Sequence, residues 1–433
     1  MEIFSLPLEP LPLVALSPGW WIVLTGSATN VACALVGCFL VLRRMSLMGD
    51  AISHAVLPGL VLAFLISGTT NIVPLFIGAA GIGLLTTFLT QTLHQYARVP
   101  SDASMGVVFT SLFAIGVVLV KKYLGGTHFD IACVYEGSLE LVFFADPVMG
   151  LPRPLFTTLV VVVVNFAFLV LLWKELKLSS FDAALATTMG FSATAMHYLL
   201  MMLVAITTVA SFEAVGSILV VAMLIVPAAT AHLLTDRLAV MVVLSAMIGI
   251  ASAVLGYWAA AYWDTNIAGM MTVAVGVLYG LAVLFSPRYG VCSTLIRNMQ
   301  MSLRVLREDL LSMLYRVEEL GSNKLLTATE ARRAVGSRWH AHWGIINLVH
   351  AGRIERAGEQ LRLTDRGRDA AKKLVRSHRL WETYLVTYLG LPLDHVHEPA
   401  HRVEHYIDEQ MQAELQAELE GQGQDPHGRE IPE

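Results

Sequence analysis

Read for apolar and polar positions alone, the chain divides into two unequal parts. Nine apolar stretches lie near residues 20–42, 46–67, 72–92, 103–120, 154–173, 194–212, 213–234, 238–262 and 267–285. Each is close to the roughly 20 residues that a helix needs to cross a bilayer. Arg43 and Arg44, Arg98, Lys174 and Lys177, Arg237 and Arg288 fall in alternate joints between them, and the positive-inside tendency makes that face cytosolic. Lys121 and Lys122 break the alternation; a re-entrant segment over 124–139, or eight crossings, would repair it. Beyond residue 290 the pattern changes. Stretches 327–335 and 338–351 read as short helices, and 352–364 reads as a hairpin turning near Gly358. The predicted fold is an all-α polytopic membrane bundle of eight or nine spans over 1–290, a linker over 291–303, and a winged helix over 304–375. A helical region over 376–412 follows, and then an acidic tail, 413–433, expected to be disordered.

Composition supports the division. Of 433 residues 55% are hydrophobic and 15% charged, too few polar groups for a wholly soluble body. Residues 1–290 hold 10 Lys/Arg and 13 Asp/Glu; the other 143 residues hold 19 and 21. Within the second part, 321–380 is basic (13 against 5) and 381–433 acidic (2 against 12). Residues 1–18 contain no Lys or Arg, so no secretory leader is expected. Cys33, Cys38, Cys133 and Cys292 lack the paired spacing of a zinc site or disulfide framework and read as small apolar residues.

Ionisable groups inside membrane spans are costly unless they face water or a ligand, so they direct the search for chemistry. Asp50 and His54, four apart, share one helical face just before Pro58 and Gly59. A carboxylate and an imidazole presented together are half of a coordination shell for a divalent transition metal; they are equally a structural hydrogen-bonded pair. Glu213, His197 and His232 read as packing residues. Residues 178–192 form a short, mildly amphipathic helix ending at Gly190, either a docking element on the cytosolic face or a plain connection. No G-x-x-x-x-G-K-[ST] is present, so ATP hydrolysis is expected in another subunit. In the second part, His378 and Glu382 are four apart, and His397, His401, Glu404 and His405 follow at spacings of four, three and one. Such spacing gathers imidazole and carboxylate on helical faces, the ligand set of zinc, manganese or iron.

Two stretches carry family resemblances. Arg43-Arg-Met-Ser-Leu-Met-Gly-Asp-Ala-Ile-Ser-His-Ala-Val-Leu-Pro-Gly59, with Phe181-Asp-Ala-Ala-Leu-Ala-Thr-Thr-Met-Gly190 and Ala214-Val-Gly-Ser-Ile-Leu-Val-Val-Ala-Met-Leu-Ile-Val-Pro-Ala-Ala-Thr230, resembles the ABC-type manganese/zinc/iron permeases over residues 15–290. That resemblance implies that Asp50 and His54 handle the ion in the membrane. It also makes the segment holding Phe181, Asp182, Leu185 and Gly190 the one that couples to a cytosolic ATP-binding-cassette ATPase. An extracytoplasmic metal-binding protein, a second permease subunit and a bacterial inner-membrane location are implied as well.

Arg376-Ser-His-Arg-Leu-Trp-Glu382 and Val396-His-Glu-Pro-Ala-His-Arg-Val-Glu-His405 resemble the diphtheria-toxin-repressor-like metal-dependent regulators from about Glu308 to Gln412. This implies one metal site of His378, Glu382 and His397, and a second of His401, Glu404 and His405 with Asp309 from the first helix. His401 departs from the cysteine or glutamate usual there. The implied function is a permease for a divalent transition metal (Mn, Zn or Fe) with a cytosolic metal-sensing domain. The competing reading is a membrane-tethered or released metal-dependent regulator whose winged helix binds DNA. The helix at 338–351 is poor in Arg, Lys and Thr for that task, and the absence of H-E-x-x-H argues against a membrane metalloprotease.

Overall fold

The computed structural model describes residues 18–68, 72–123, 139–321, 326–334, 338–419 and 422–432. It separates into two compact units, Met1–Ser293 and Thr294–Glu433.

Among the described residues of the first unit, eight helices are long and apolar enough to cross a membrane. The helix Ser217–Leu234 is a shorter apolar companion, separated from Ala193–Val215 by Gly216 at φ +83° and containing Pro227. Nine apolar stretches are thus present, of which eight have spanning length. Lys121 and Lys122 occupy the last turn of the helix Ser101–Tyr123. Of the expected re-entrant segment only residue 139 lies within the described residues, and Cys133 lies outside them. Cys33 and Cys38 are buried and unpaired.

The helix Pro18–Leu42 runs through the centre of the unit. It is apolar all round, and its sides are covered by neighbouring helices, as expected of a helix with no lipid-facing stripe. Lipid gives no hydrophobic drive for helices to associate, so close approach and a few hydrogen bonds must hold the bundle. A Cβ on Gly59 would lie 2.3 Å from the Gly78 carbonyl oxygen, and one on Gly78 2.4 Å from that of Gly59, so these two helices cross backbone to backbone. Buried Asn165 donates through Nδ2 to the Ala32 carbonyl (3.1 Å) and the Thr207 hydroxyl (2.9 Å), joining three helices. Such bonds contribute about 1 kcal/mol each or less.

The second unit begins within the helix Val291–Glu319, so the stretch 291–303 is helical rather than a loose linker. Leu306, Leu310, Leu311 and Leu314 of that helix pack with Ala331, Ile345, Leu348, Ile354 and Leu361 into one core. The helices Ala328–Ala334 and Arg338–His350 and the antiparallel strands Ile354–Ala357 and Gln360–Leu363 complete a winged helix. Thr327 and Glu330 form a reciprocal cap at the first of these helices (3.0 and 3.2 Å), and Gly358 makes the hairpin turn at φ +65°. A 25-residue helix, Asp365–Leu389, follows, capped by Thr364.

The expectation of a disordered tail is corrected. Residues Glu409–Glu418 are helical, and Leu415, Leu419 and Ile431 pack against Leu380. Asp425 is buried beside Arg379, which also bonds the Glu430 carbonyl. Polar composition concealed three apolar contacts and one buried ion pair, which together hold the tail.

Candidate metal sites and coupling segment

The helical span Ser46–Ser67 is interrupted at Val56. Pro58 has no N–H to give the His54 carbonyl, and Gly59 N–H donates to the Val56 carbonyl (2.9 Å), one residue out of the helical register. On the turns just before this break, His54 Nε2 and Asp50 Oδ1 stand 3.4 Å apart. The rings of Phe109 and Phe113 flank the imidazole at 6.0 and 6.1 Å. Both polar side chains are about one-third exposed, so the pair faces accessible space. Elsewhere in the unit Glu213 pairs with Arg153 (3.7 Å).

The expected single helix over 178–192 is two. Trp173–Phe181 ends where Asp182 turns extended and caps Ala183–Thr188 through a bond from Leu185 N–H (2.9 Å). Gly190, at φ +89°, closes the segment. Phe181, Leu185 and Met189 expose their apolar side chains, at 63%, 46% and 61%.

The second unit gathers seven candidate ligands into two groups. His378, Glu382 and His397 form one; Asp309, His401, Glu404 and His405 form the other, with ligand atoms in each within 4.8 Å of one another. The long helix presents His378 and Glu382 on adjacent turns, with His378 Nε2 3.0 Å from Glu382 Oε1 and 3.1 Å from His397 Nδ1. The helix His397–Val403 and the 3-10 turn Glu404–Tyr406 supply the other histidines and Glu404. Glu404 belongs to both surroundings: Oε1 meets His401 Nδ1 at 2.9 Å and Oε2 meets His378 Nδ1 at 2.6 Å.

Burial alone would raise the Glu382 carboxyl, but bonds and charge from His378 and His397 outweigh it and bring it down to about 2. Burial would lower His405, but Asp309, Glu308 and Glu404 push it up to about 9. Three carboxylates thus confront one imidazole, an excess of negative charge that a cation relieves. The second group fits a divalent metal on a further observation. Asp309 Oδ1 and His405 Nε2 are buried and 3.3 Å apart, facing each other as an ion pair that falls outside hydrogen-bond geometry. Buried polar atoms outside hydrogen-bond geometry are costly, and two converging on one spot are what a cation between them would satisfy. Glu308, which the sequence pattern passed over, holds the other face of His405 (Oε2 to Nδ1, 2.8 Å) and is itself held by Arg304 (3.0 Å). The helix turns it in a different direction from its neighbour Asp309.

A polytopic helical bundle with a carboxylate–imidazole pair beside a broken span, continued by a winged helix and two histidine–carboxylate groups, is a metal-handling membrane protein with a sensor-like module. The chain belongs to the ABC 3 transport family, whose model matches residues 20–286. Residues 364–433 match the iron dependent repressor, metal binding and dimerisation domain. Among curated relatives, the chain is 47% identical to the manganese transport system membrane protein MntD of Bacillus subtilis over 285 residues, covering 65% of this chain and 96% of that one. It is 38% identical to the zinc transport system membrane protein TroD of Treponema pallidum over 359 residues, covering 80% and 96%. Among solved structures it resembles PsaBC of Streptococcus pneumoniae, with a TM-score of 0.55 and 31% identity over 64% of this chain and 95% of that one.

Proposed function

We propose that this chain is the permease subunit of an ATP-driven importer for a divalent transition metal, manganese or zinc in the first place, with a C-terminal metal-sensing domain. The observation that carries the reading is the Asp50–His54 pair: two metal-binding side chains 3.4 Å apart on the span that Pro58 interrupts, in a chain of the ABC 3 transport family. A carboxylate and a neutral imidazole suit a borderline divalent ion, and two protein ligands leave room for the ion to arrive and depart. Phe181, Leu185 and Met189, exposed and apolar within residues 181–190, suit docking of a separate cytosolic ATPase, which supplies the nucleotide chemistry. A second permease subunit and an extracytoplasmic metal-binding protein complete the assembly in the bacterial inner membrane, with residues 294–433 in the cytosol.

The DNA-binding alternative is less favoured. On the helix Arg338–His350, Asn347 is engaged by Arg307 (2.8 Å), and Trp343 leads the exposed face. The test is uptake of radiolabelled manganese and zinc by cells lacking their own importers. Asp50→Ala and His54→Ala should each abolish uptake at unchanged membrane abundance; normal uptake by both removes the pair from the mechanism.

A further inference from the structure

We propose that Arg43 is the positioning residue through which the coupling segment moves the span carrying Asp50 and His54. The inference rests on the reading of residues 181–190 as the ATPase dock. Arg43 directly follows the central helix Pro18–Leu42, at the end that the same reading places on the cytosolic side. Its Nη2 donates to the Ser179 hydroxyl at 2.8 Å and its Nε to the Ser180 hydroxyl at 3.0 Å. These serines form the last turn before Phe181. Ser179 is buried and its own hydroxyl donates to the Leu176 carbonyl (3.3 Å), so the receiving end is fixed. The T-shaped contact of Phe39 with Trp173, 6.4 Å between ring centres at 89°, ties the same two elements one turn further in.

The other end of the tie is equally short. Only Arg44 and Met45 separate Arg43 from Ser46, where the ion-path span begins, and Asp50 lies one helical turn beyond. The joint is not slack. Arg43 N–H donates to the Phe39 carbonyl (3.0 Å), Met45 N–H to that of Leu40 (2.9 Å), and Arg44 sits at φ +57°, where a residue other than glycine stays only if its surroundings hold it. A displacement of Ser179 and Ser180 therefore reaches Ser46 through one side chain and a rigid three-residue turn. An arginine suits this because its planar fork engages two acceptors in one fixed direction, which a lysine ammonium does not.

The test reconstitutes the complete transporter, permease with its ATPase, in liposomes and measures manganese moved per ATP hydrolysed. Arg43→Gln should keep the ATPase in the complex and keep it hydrolysing ATP, while manganese moved per ATP falls about tenfold, within the range of a typical coupling free energy between two sites. The pair Ser179→Ala with Ser180→Ala removes only two oxygen atoms and should reproduce the loss. Adding Arg43→Gln to it should cause no further fall, because the three groups act as one contact. Arg43→Lys should recover only part of the ratio. An unchanged ratio in Arg43→Gln and in the serine pair overturns the proposal, as does a parallel fall of ATP turnover and transport with loss of the ATPase from the complex. The docking reading has its own control: if Phe181→Ala with Leu185→Ala leaves the ATPase fully bound, that reading fails whatever Arg43 does.

Discussion

Glu404 is where the two histidine–carboxylate groups meet, one oxygen on His401 and the other on His378. Replacing it with glutamine removes a candidate ligand from one group and the orienting partner of an imidazole in the other. Partners of that kind are worth about 10- to 100-fold in metal affinity. Titration calorimetry of residues 294–433 with manganese should therefore show both binding steps weakened in Glu404→Gln, and only one in His397→Ala. Glu308→Gln should weaken the Asp309 group within the same range, by freeing the ring of His405. The groupings were legible in part. Spacings of three and four place His378 with Glu382, and His401 with Glu404 and His405, because a helix returns to the same face at those intervals. Asp309 lies far away in sequence and came only through family resemblance. Glu308 carried no signal, since nothing in spacing separates a carboxylate that meets a ligand's back from one that faces solvent.

At the scale of elements, the membrane helices were legible because a bilayer imposes a length and an apolar composition together. Their contacts were not. Gly59 and Gly78 read as small residues among many, whereas in the fold each would place a Cβ against the other's carbonyl. Gly78→Val should therefore destabilise the bundle by about 1–3 kcal/mol, as overpacking of a close contact does. Gly81→Val on the same helix, where a Cβ meets nothing within 4 Å, should do little. Thermal unfolding of the two variants in detergent makes the comparison. The break between Phe181 and Ala183 was also missed; an Asp182 cap is a decision of one backbone angle and leaves no period in the sequence.

For the whole molecule, the sensor-like unit follows the last apolar span with a gap of only five residues before its first helix. Metal bound there is expected to report cytosolic supply and damp import, a coupling of about 1–3 kcal/mol in typical cases. Transport by the reconstituted protein should fall as cytosolic-side manganese rises, and should stay constant when Glu404 and His405 are both alanine. An ion pair within the second unit contributes a separate pH dependence. The Arg379 guanidinium, bonded to both oxygens of Glu319 (2.9 and 2.5 Å), holds that carboxyl below its ordinary value of 4.5. A depressed carboxylate stabilises the fold above its unfolded pKa, and that contribution is lost as pH falls through the folded one. The melting temperature of residues 294–433 should drop on acidification below pH 4.5, and drop less steeply in Glu319→Gln.

By itself the sequence determined the two solvents, the helical class of each part and the residue types that meet metal, because length, apolar content and helical period are local properties. Only the tertiary structure decided that Glu404 serves two groups, that Asp309 and His405 leave two buried atoms facing one spot, and that an acidic tail is held by Arg379. Each of these joins residues distant along the chain, and no local pattern encodes which of many carboxylates the fold brings to a given imidazole or guanidinium.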